Sequence, residues 1–259
     1  MKKYILDLEV RENRRLRADY SLLKLRSAAP LPEMAPGQFA EVRVDGSATT
    51  FLRRPISICY VDGAAGELWL LIRHAGDGTR RMAEYRAGDV MNLILPLGRG
   101  FSIPPAPPGR QLLLVGGGAG VAPLLFLGDA LRRAGHEPAF LLGARSDDGL
   151  LLLDDFRRLG TVCVTTEDGS AGETGFVTHH SVLTRRFERI YACGPRPMMV
   201  AVAEYAASAG VACEVSLENV MACGIGACLC CVEMTAAGRH VCVCTEGPVF
   251  DINQLTWLN

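Results

Sequence analysis

Leu112-Leu113-Leu114-Val115-Gly116-Gly117-Gly118-Ala119-Gly120-Val121-Ala122-Pro123 reads as a strand, a glycine turn and the opening of a helix. An unbroken apolar run suits a strand covered on both faces. The glycines let the backbone approach a ligand phosphate closely. Pro123 is at home in a first helical turn. Gly118, Gly120 and Pro123 are therefore candidate nucleotide contacts. The turn could equally be structural alone, because Pro123 stands where the Rossmann G-x-G-x-x-G pattern has its third glycine.

Downstream, a helix is predicted over 123–134, with Leu124, Leu127 and Leu131 on one side. A strand follows at 138–142, a helix at 150–159, strands at 162–166 and 189–192, a helix at 197–209 and a strand at 211–215. Strands alternating with helices predict a parallel sheet covered on both faces. Upstream, Pro104, Pro105, Pro107 and Pro108 make 103–110 a linker. Before it, short apolar or alternating runs at 4–10, 20–26, 39–44, 56–60, 68–73 and 90–95 are separated by Gly, Pro and Asp, with one helical stretch near 79–85. They predict a small antiparallel barrel. The expected class is a multidomain α/β chain: an antiparallel β-barrel over 1–102, a parallel α/β domain over 103–216, and a small Cys- and Gly-rich domain over 217–259. The last is too short for its own hydrophobic core, so a metal centre would organise it.

Six of the ten cysteines lie between Cys223 and Cys244. Cys223, Cys228 and Cys231 form C-x₄-C-x₂-C, and Cys244 follows, which is the plant-type spacing for a [2Fe–2S] cluster. Gly224 and Gly226 permit the tight loop that such a cluster needs and let backbone N–H groups approach its sulfurs. Zinc sites usually present two C-x₂-C pairs, whereas here the second pair would be Cys242-x-Cys244 with Cys223 left over. Cys230 could replace Cys231, and Cys242 could replace Cys244.

Arg53-Arg54-Pro55-Ile56-Ser57 opens a strand. An arginine can grip a diphosphate through paired hydrogen bonds, and a serine three residues on can reach the same ligand. By itself this is also a common surface tetrapeptide. Leu71-Ile72-Arg73 brings another arginine, and Gly78-Thr79 opens a helix whose start could meet an anion. Cys193-Gly194-Pro195 follows a later strand, at the edge where open parallel sheets bind ligands. Cys193 there is a candidate catalytic contact to a nicotinamide, or simply a buried core cysteine.

The chain has 259 residues and a formal net charge of −1. That balance leaves no electrostatic footprint for nucleic acid or an anionic membrane. No apolar run approaches the roughly 20 residues of a spanning helix. The opening Met1-Lys2-Lys3-Tyr4-Ile5-Leu6-Asp7 lacks an apolar signal core. A soluble, cytoplasmic protein is expected.

Together these segments resemble the ferredoxin–NADP⁺ reductase superfamily, which joins a flavin barrel carrying R-x-[YI]-S to a nucleotide domain carrying G-x-G-x-x-P and C-G-P. The matches are R-P-I-S at 54–57, G-A-G-V-A-P at 118–123 and C-G-P at 193–195. A-C-G-I-G-A-C at 222–228 and G-P-V-F at 247–250 narrow the resemblance to the electron-transfer subunits of B-type dihydroorotate dehydrogenases. The resemblance implies FAD held by Arg54, Pro55, Ile56 and Ser57, by Leu71, Ile72 and Arg73, and by Gly78 and Thr79. It implies a [2Fe–2S] cluster on Cys223, Cys228, Cys231 and Cys244, and NADH as electron donor. It also implies an FMN-containing catalytic partner that oxidises dihydroorotate to orotate in pyrimidine biosynthesis, two of each chain forming a heterotetramer.

The parts make chemical sense together. A nicotinamide gives two electrons as hydride, a cluster accepts one at a time, and a flavin can do both, so it must stand between them. Five scattered histidines and no evident triad fit a task without acid–base catalysis. Two other readings remain. One is the same chemistry serving ferredoxin, sulfide or a hydrogenase. The other is a non-catalytic metal-binding module on a degenerate reductase fold. Gly143-Ala144-Arg145-Ser146-Asp147-Asp148 offers both an arginine and acids, so its sign does not separate NADH from NADPH.

Overall fold

The computed structural model describes residues 2–105 and 111–258. Most of the expected linker, 106–110, lies outside the described residues. The first six strands are β1 (Tyr4–Arg17), β2 (Tyr20–Arg26), β3 (Phe39–Val42), β4 (Arg54–Asp62), β5 (Glu67–Arg73) and β6 (Val90–Leu97). They close antiparallel in the order β1-β2-β5-β4-β3-β6. Alternation places Leu8, Val10, Leu23, Leu25, Ile58, Leu68, Leu70, Leu93 and Leu95 inside. The short helix α1 (Asp77–Met82) lends Met82 to that core. β1 runs well past the expected 4–10. Its charged second half, from Arg11, is held by pairing with β2 as far as Arg17 opposite Tyr20, with register shifts between Val10 and Glu12 and between Arg15 and Arg17.

The second unit contains β7 (Gln111–Gly117), helix α2 (Val121–Arg133), β8 (Glu137–Ala144), helix α3 (Leu153–Arg157), β9 (Thr161–Thr166), β10 (Glu173–Thr174), β11 (Arg189–Cys193), helix α4 (Arg196–Ser208) and β12 (Ala212–Ser216). The tail adds the hairpin β13 (Val232–Met234) and β14 (His240–Cys242), one turn of helix α5 (Val243–Glu246) and β15 (Val249–Asp251). The sheet order is β10-β9-β8-β7-β11-β12-β15, with β15 antiparallel to β12 and the other pairs parallel. The helix expected over 150–159 shrinks to α3, because Leu151 and Leu152 turn into the core and Leu152 adopts φ 59°, which breaks helical continuity.

α2 joins the two units. Leu124, Leu125, Leu127 and Leu131 pack in one cluster with Leu112 and Leu114 of the sheet and with Tyr20, Leu22 and Leu71 of the barrel. Each fully buried leucine contributes about 1.5–3 kcal/mol. Phe126 reaches the barrel cluster and lies edge-on to Tyr60, with centroids 6.5 Å apart. The tail has no hydrophobic core of its own, as its length predicts. Cys231, Val241, Val243, Cys244, Phe250, Ile252 and Leu255 share one core with Leu113, Val115, Ile190 and Val215. Pairing of β15 with the sheet edge supplies the apolar burial that the tail alone could not.

Candidate flavin, nicotinamide and cluster sites

The first flavin segment starts β4. Arg53 and Arg54 divide their work. The Arg53 guanidinium donates to the Glu41 and Asn92 carbonyls, at 3.2 and 3.0 Å, and to Asn92 Oδ1, tying β4 across the barrel. Among the described residues Arg54 has only a long contact, Nη1 to the Arg53 carbonyl at 3.5 Å, so its donors remain for a ligand. Pro55, Ile56 and Ser57 follow along the strand, with Ile56 turned into the barrel core. Gly78 closes against this arginine: a Cβ built there would stand 3.0 Å from both Arg54 Nε and Thr50 Cγ2. The first and third segments thus form one cradle that a side chain at 78 would fill. Thr79 fixes the turn, its Oγ1 accepting from Gly76 N at 3.1 Å.

Asp77 completes the cradle wall. Its Oδ2 accepts hydroxyls from Ser47, Thr49 and Thr50 at 2.7, 2.7 and 2.9 Å. These bonds hold the carboxyl down to about 2, the Thr49 hydroxyl contributing most. The chain's own carboxylate therefore sits at this short helix start, which leaves the Arg54 guanidinium as the cationic group of the cradle.

The second flavin segment ends β5, where Leu71 and Ile72 are buried and Arg73 reaches solvent opposite Tyr20. Tyr20 in turn faces the glycine turn: a Cβ on Gly118, whose φ is +56°, would lie 3.3 Å from Tyr20 Oη. Gly120 presses still closer on the neighbouring loop. A Cβ there would lie 2.4 Å from the Cys193 carbonyl and from Gly194 N. Pro123 is buried in the first turn of α2, as its missing N–H allows. Gly118, Gly120, Cys193 and Gly194 thus meet at the C-terminal edge of β7 and β11, with Arg73 and Tyr20 across from them. Cys193 is buried and burial pushes its thiol far above the ordinary range, so it offers a neutral surface and no thiolate.

The cysteine loop folds against the barrel. Cys223 Sγ accepts N–H groups from Ile225 at 3.5 Å and Cys228 at 3.4 Å. These donors, Ile225 first, draw its thiol down to about 6, the state a metal needs. Cys231 and Cys244 form the second pair: Cys244 N donates to Cys231 Sγ at 3.4 Å, and Val243 N to the Cys231 carbonyl at 3.0 Å. Gly226, at φ +85°, hydrogen-bonds toward Cys244 and bridges the pairs. Among the described residues no three His, Cys, Asp or Glu side chains are grouped for a single ion. Two thiol pairs with backbone donors aimed at sulfur fit a binuclear cluster, which takes two thiolates at each iron. Cys230 is exposed, while Cys242 is half-buried beside Cys231.

Three groups escape a reading of the sequence alone. Tyr20 looks like an ordinary strand residue until it meets Gly118. Glu218 is reached by solvent yet crowded by protein, which pushes its carboxyl up against the pull of Arg73. It also bears on Cys193 and Tyr20, so it belongs to the same cleft. Glu41 is fully buried in β3, where a Cβ on Gly224 would stand 2.5 Å from its Cγ. It alternates with Ala40 and Val42, which face the barrel core, so its side chain leaves the barrel toward the cysteine loop.

Comparison with known proteins agrees with this layout. The family model described as the iron-sulfur cluster binding domain of dihydroorotate dehydrogenase B matches residues 218–256. The dihydroorotate dehydrogenase B (NAD(+)) electron transfer subunit of Shouchella clausii is 40% identical over 227 residues, covering 85% of this chain and 86% of the relative. The subunit of the same description from Fusobacterium nucleatum is 35% identical over 254 residues, covering 95% and 96%. Among solved structures, a chain of NADH-dependent reduced ferredoxin-NADP oxidoreductase superimposes with a TM-score of 0.86 at 29% identity, covering 96% of this chain and 90% of that one. The ferredoxin reductase of carbazole 1,9a-dioxygenase shares the fold, with a TM-score of 0.67 at 24% identity, covering 82% and 67%. The chain belongs to the family of dihydroorotate dehydrogenase B electron transfer subunits.

Proposed function

We propose that this chain oxidises NADH and passes the electrons through FAD and one [2Fe–2S] cluster to the FMN of a dihydroorotate dehydrogenase catalytic subunit, in pyrimidine biosynthesis. The observation that carries this reading is contiguity. Gly118 lies against Tyr20, Gly120 against Cys193 and Gly194, and Gly224 against Glu41, so the three segments adjoin without a gap in the protein. When bound, the flavin converts a two-electron donor into single electrons and the cluster relays them one at a time.

The protein's own task is to bind, orient and insulate. Arg54 and Ser57, with Gly78 giving room, would grip the FAD diphosphate, and Leu71, Ile72, Arg73 and Thr79 would complete the seat. Gly118 and Gly120 would let the NADH pyrophosphate close on the start of α2, with Pro123 fixing that first turn. Cys193 would back the nicotinamide with a neutral thiol, so it would orient the ring and hold its proton throughout. Cys223, Cys228, Cys231 and Cys244 would ligate the cluster. In functional terms the flavin unit is 1–102, the nicotinamide unit 103–216 and the cluster unit 217–259, the last borrowing its core from the second.

Around the cysteine loop Val220, Ile225 and Leu229 are exposed, Val220 at 80% and Leu229 at 64%. An apolar rim beside the last carrier suits a docked catalytic subunit, two of each chain making the assembly. All ten cysteines are free, which fits the reducing cytoplasm. Among the described residues no helix is long and apolar enough to cross a membrane. A second acceptor reading draws on the likeness to the NADH-dependent ferredoxin-NADP oxidoreductase chain. Co-purification decides: a dihydroorotate-oxidising flavoprotein should accompany the tagged chain. Recovery of a different oxidoreductase, with no dihydroorotate-dependent reduction, overturns the assignment.

A further inference from the structure

The charged second half of β1 adds nothing to the barrel core, yet it carries one amide to a particular place. A register shift between Val10 and Glu12 sets Asn13 opposite Leu23. Directly paired residues face the same side of a sheet, and Leu23 is fully buried in the barrel core. Asn13 therefore turns inward, where the earlier inward residues of the strand, Leu8 and Val10, are apolar. Its Nδ2 donates to the Tyr85 carbonyl at 2.8 Å and the Ala83 carbonyl at 3.1 Å, with the Met82 carbonyl at 3.5 Å. A helix end leaves its last carbonyls without partners. Among the described residues no backbone N–H reaches the Ala83 or Tyr85 carbonyl, so this side chain closes the end of α1. The start of the same helix meets the flavin cradle, where Gly78 stands against Arg54 and Thr50. Other groups also hold α1. Asp77 ties its start to Ser47, Thr49 and Thr50, Arg81 donates to the Asp45 carbonyl at 3.1 Å, and Met82 seats in the core. The helix has six residues, roughly 9 Å of length, so a tilt at its end is felt at its start.

We propose that Asn13 is a positioning residue for FAD, which holds the end of α1 and so keeps Gly78 and Thr79 in register with Arg54 around the diphosphate. The inference rests on the flavin reading above. The contact at the helix start has little slack, since a Cβ on Gly78 would already stand 3.0 Å from Arg54 Nε. Asn13 acts only through the helix: among the described residues its side chain bonds to Met82, Ala83 and Tyr85, and to none of the cradle residues. An apolar side chain at this position would leave two carbonyls unpaired. They would turn toward water, the helix end would follow, and the cradle would open at Gly78. The extension of β1 beyond its apolar half thereby gains a purpose, because it delivers this amide to the helix end.

The test is release of FAD from the purified holoprotein on dilution, read by flavin fluorescence, with the phosphorus-31 spectrum of the bound diphosphate. Asn13→Asp keeps the size of the side chain and removes both N–H donors, and Asn13→Ala removes the whole group. In each, the FAD dissociation constant should rise about tenfold, and the diphosphate resonances should move while iron and sulfide content stay at wild-type levels. Val10→Ala loosens the same strand in the barrel core and serves as the control. At a similar loss of melting temperature it should hold FAD within about threefold of wild type. An unchanged dissociation constant or unmoved phosphorus resonances in Asn13→Asp overturn the proposal, as does equal weakening in Val10→Ala. If Asn13→Ala does not fold, Asn13→Asp carries the test on the same terms. Failure of both to fold also overturns it, because the amide then serves folding and not the cradle. Absence of FAD from the wild-type protein is a different result, and it would sink the flavin reading itself.

Discussion

Replacing Gly120 by alanine isolates the nicotinamide half of the account. The new Cβ would lie 2.4 Å from the carbonyl carbon and oxygen of Cys193 and from Gly194 N, against about 3.4 Å for an ordinary contact. All three atoms are backbone, at the end of β11, so no side chain can swing away. The two loops must part by about 1 Å. Overpacking of this kind costs roughly 1–3 kcal/mol of stability, or a few degrees of melting temperature in a chain this long. Its effect on the reaction should be larger, because a misplacement of about 1 Å can cost about 10²-fold in rate. Anaerobic stopped-flow bleaching of the flavin by NADH reads this directly. The second-order rate constant should fall about 100-fold, while FAD and iron content stay at wild-type levels. A rate within about threefold of wild type, or loss of FAD in step with the rate, would refute the placement of the nucleotide between these loops.

Serine at Cys223, Cys228, Cys231 or Cys244 should abolish iron and sulfide binding, whereas Cys230→Ser should keep full content. Metal analysis of the five proteins checks the ligand set, and loss in Cys230→Ser contradicts it. Gly78→Ala, which brings a methyl group 3.0 Å from Arg54 Nε, should weaken FAD by about one charge-assisted hydrogen bond, roughly 1.5–3 kcal/mol. Fluorescence of released flavin on dilution measures it, and unchanged affinity argues against Arg54 as the diphosphate clamp. Asp77 titrates below its ordinary range when folded, so the unfolded chain binds more protons between about pH 4 and pH 2. The stability gap between wild type and Asp77→Asn should therefore be full above about pH 4 and close on further acidification. Urea midpoints across that range report it, and a gap that widens in acid contradicts the hydroxyl cage. Cys193→Ala should slow flavin reduction without changing its pH profile between about pH 6 and 9, because the thiol is protonated throughout. An inflection in that range that the substitution removes would show a thiolate at work.

The barrel strand 20–26, the glycine turn and the cysteine spacing were legible because each rests on local chemistry: alternation, φ freedom and ligand distance along the chain. The second half of β1 was not, since Arg11-Glu12-Asn13-Arg14-Arg15 carries no apolar alternation and is a strand only through its partner β2. The docking of the tail on the sheet was not legible for a similar reason. Nothing in Val249-Phe250-Asp251 announces that it will pair with β12, whose Ser216 lies 33 positions before its partner Val249. The two short segments proposed to hold flavin were readable as pieces, but their meeting at Gly78 and Arg54 is a tertiary contact. Glu41, Tyr20 and Glu218 were invisible for the same reason: each acquires its role from a residue far away in the chain.

Electrons from NADH are expected to cross this one chain to a pair of irons. Anaerobic titration of the purified protein with NADH, following flavin absorbance and the spin signal of the reduced cluster together, tests it most directly. About two irons and two sulfides per FAD are expected, with the cluster signal rising as the flavin is reduced. A flavin that bleaches while no cluster signal appears, or cysteines that carry zinc, would contradict it.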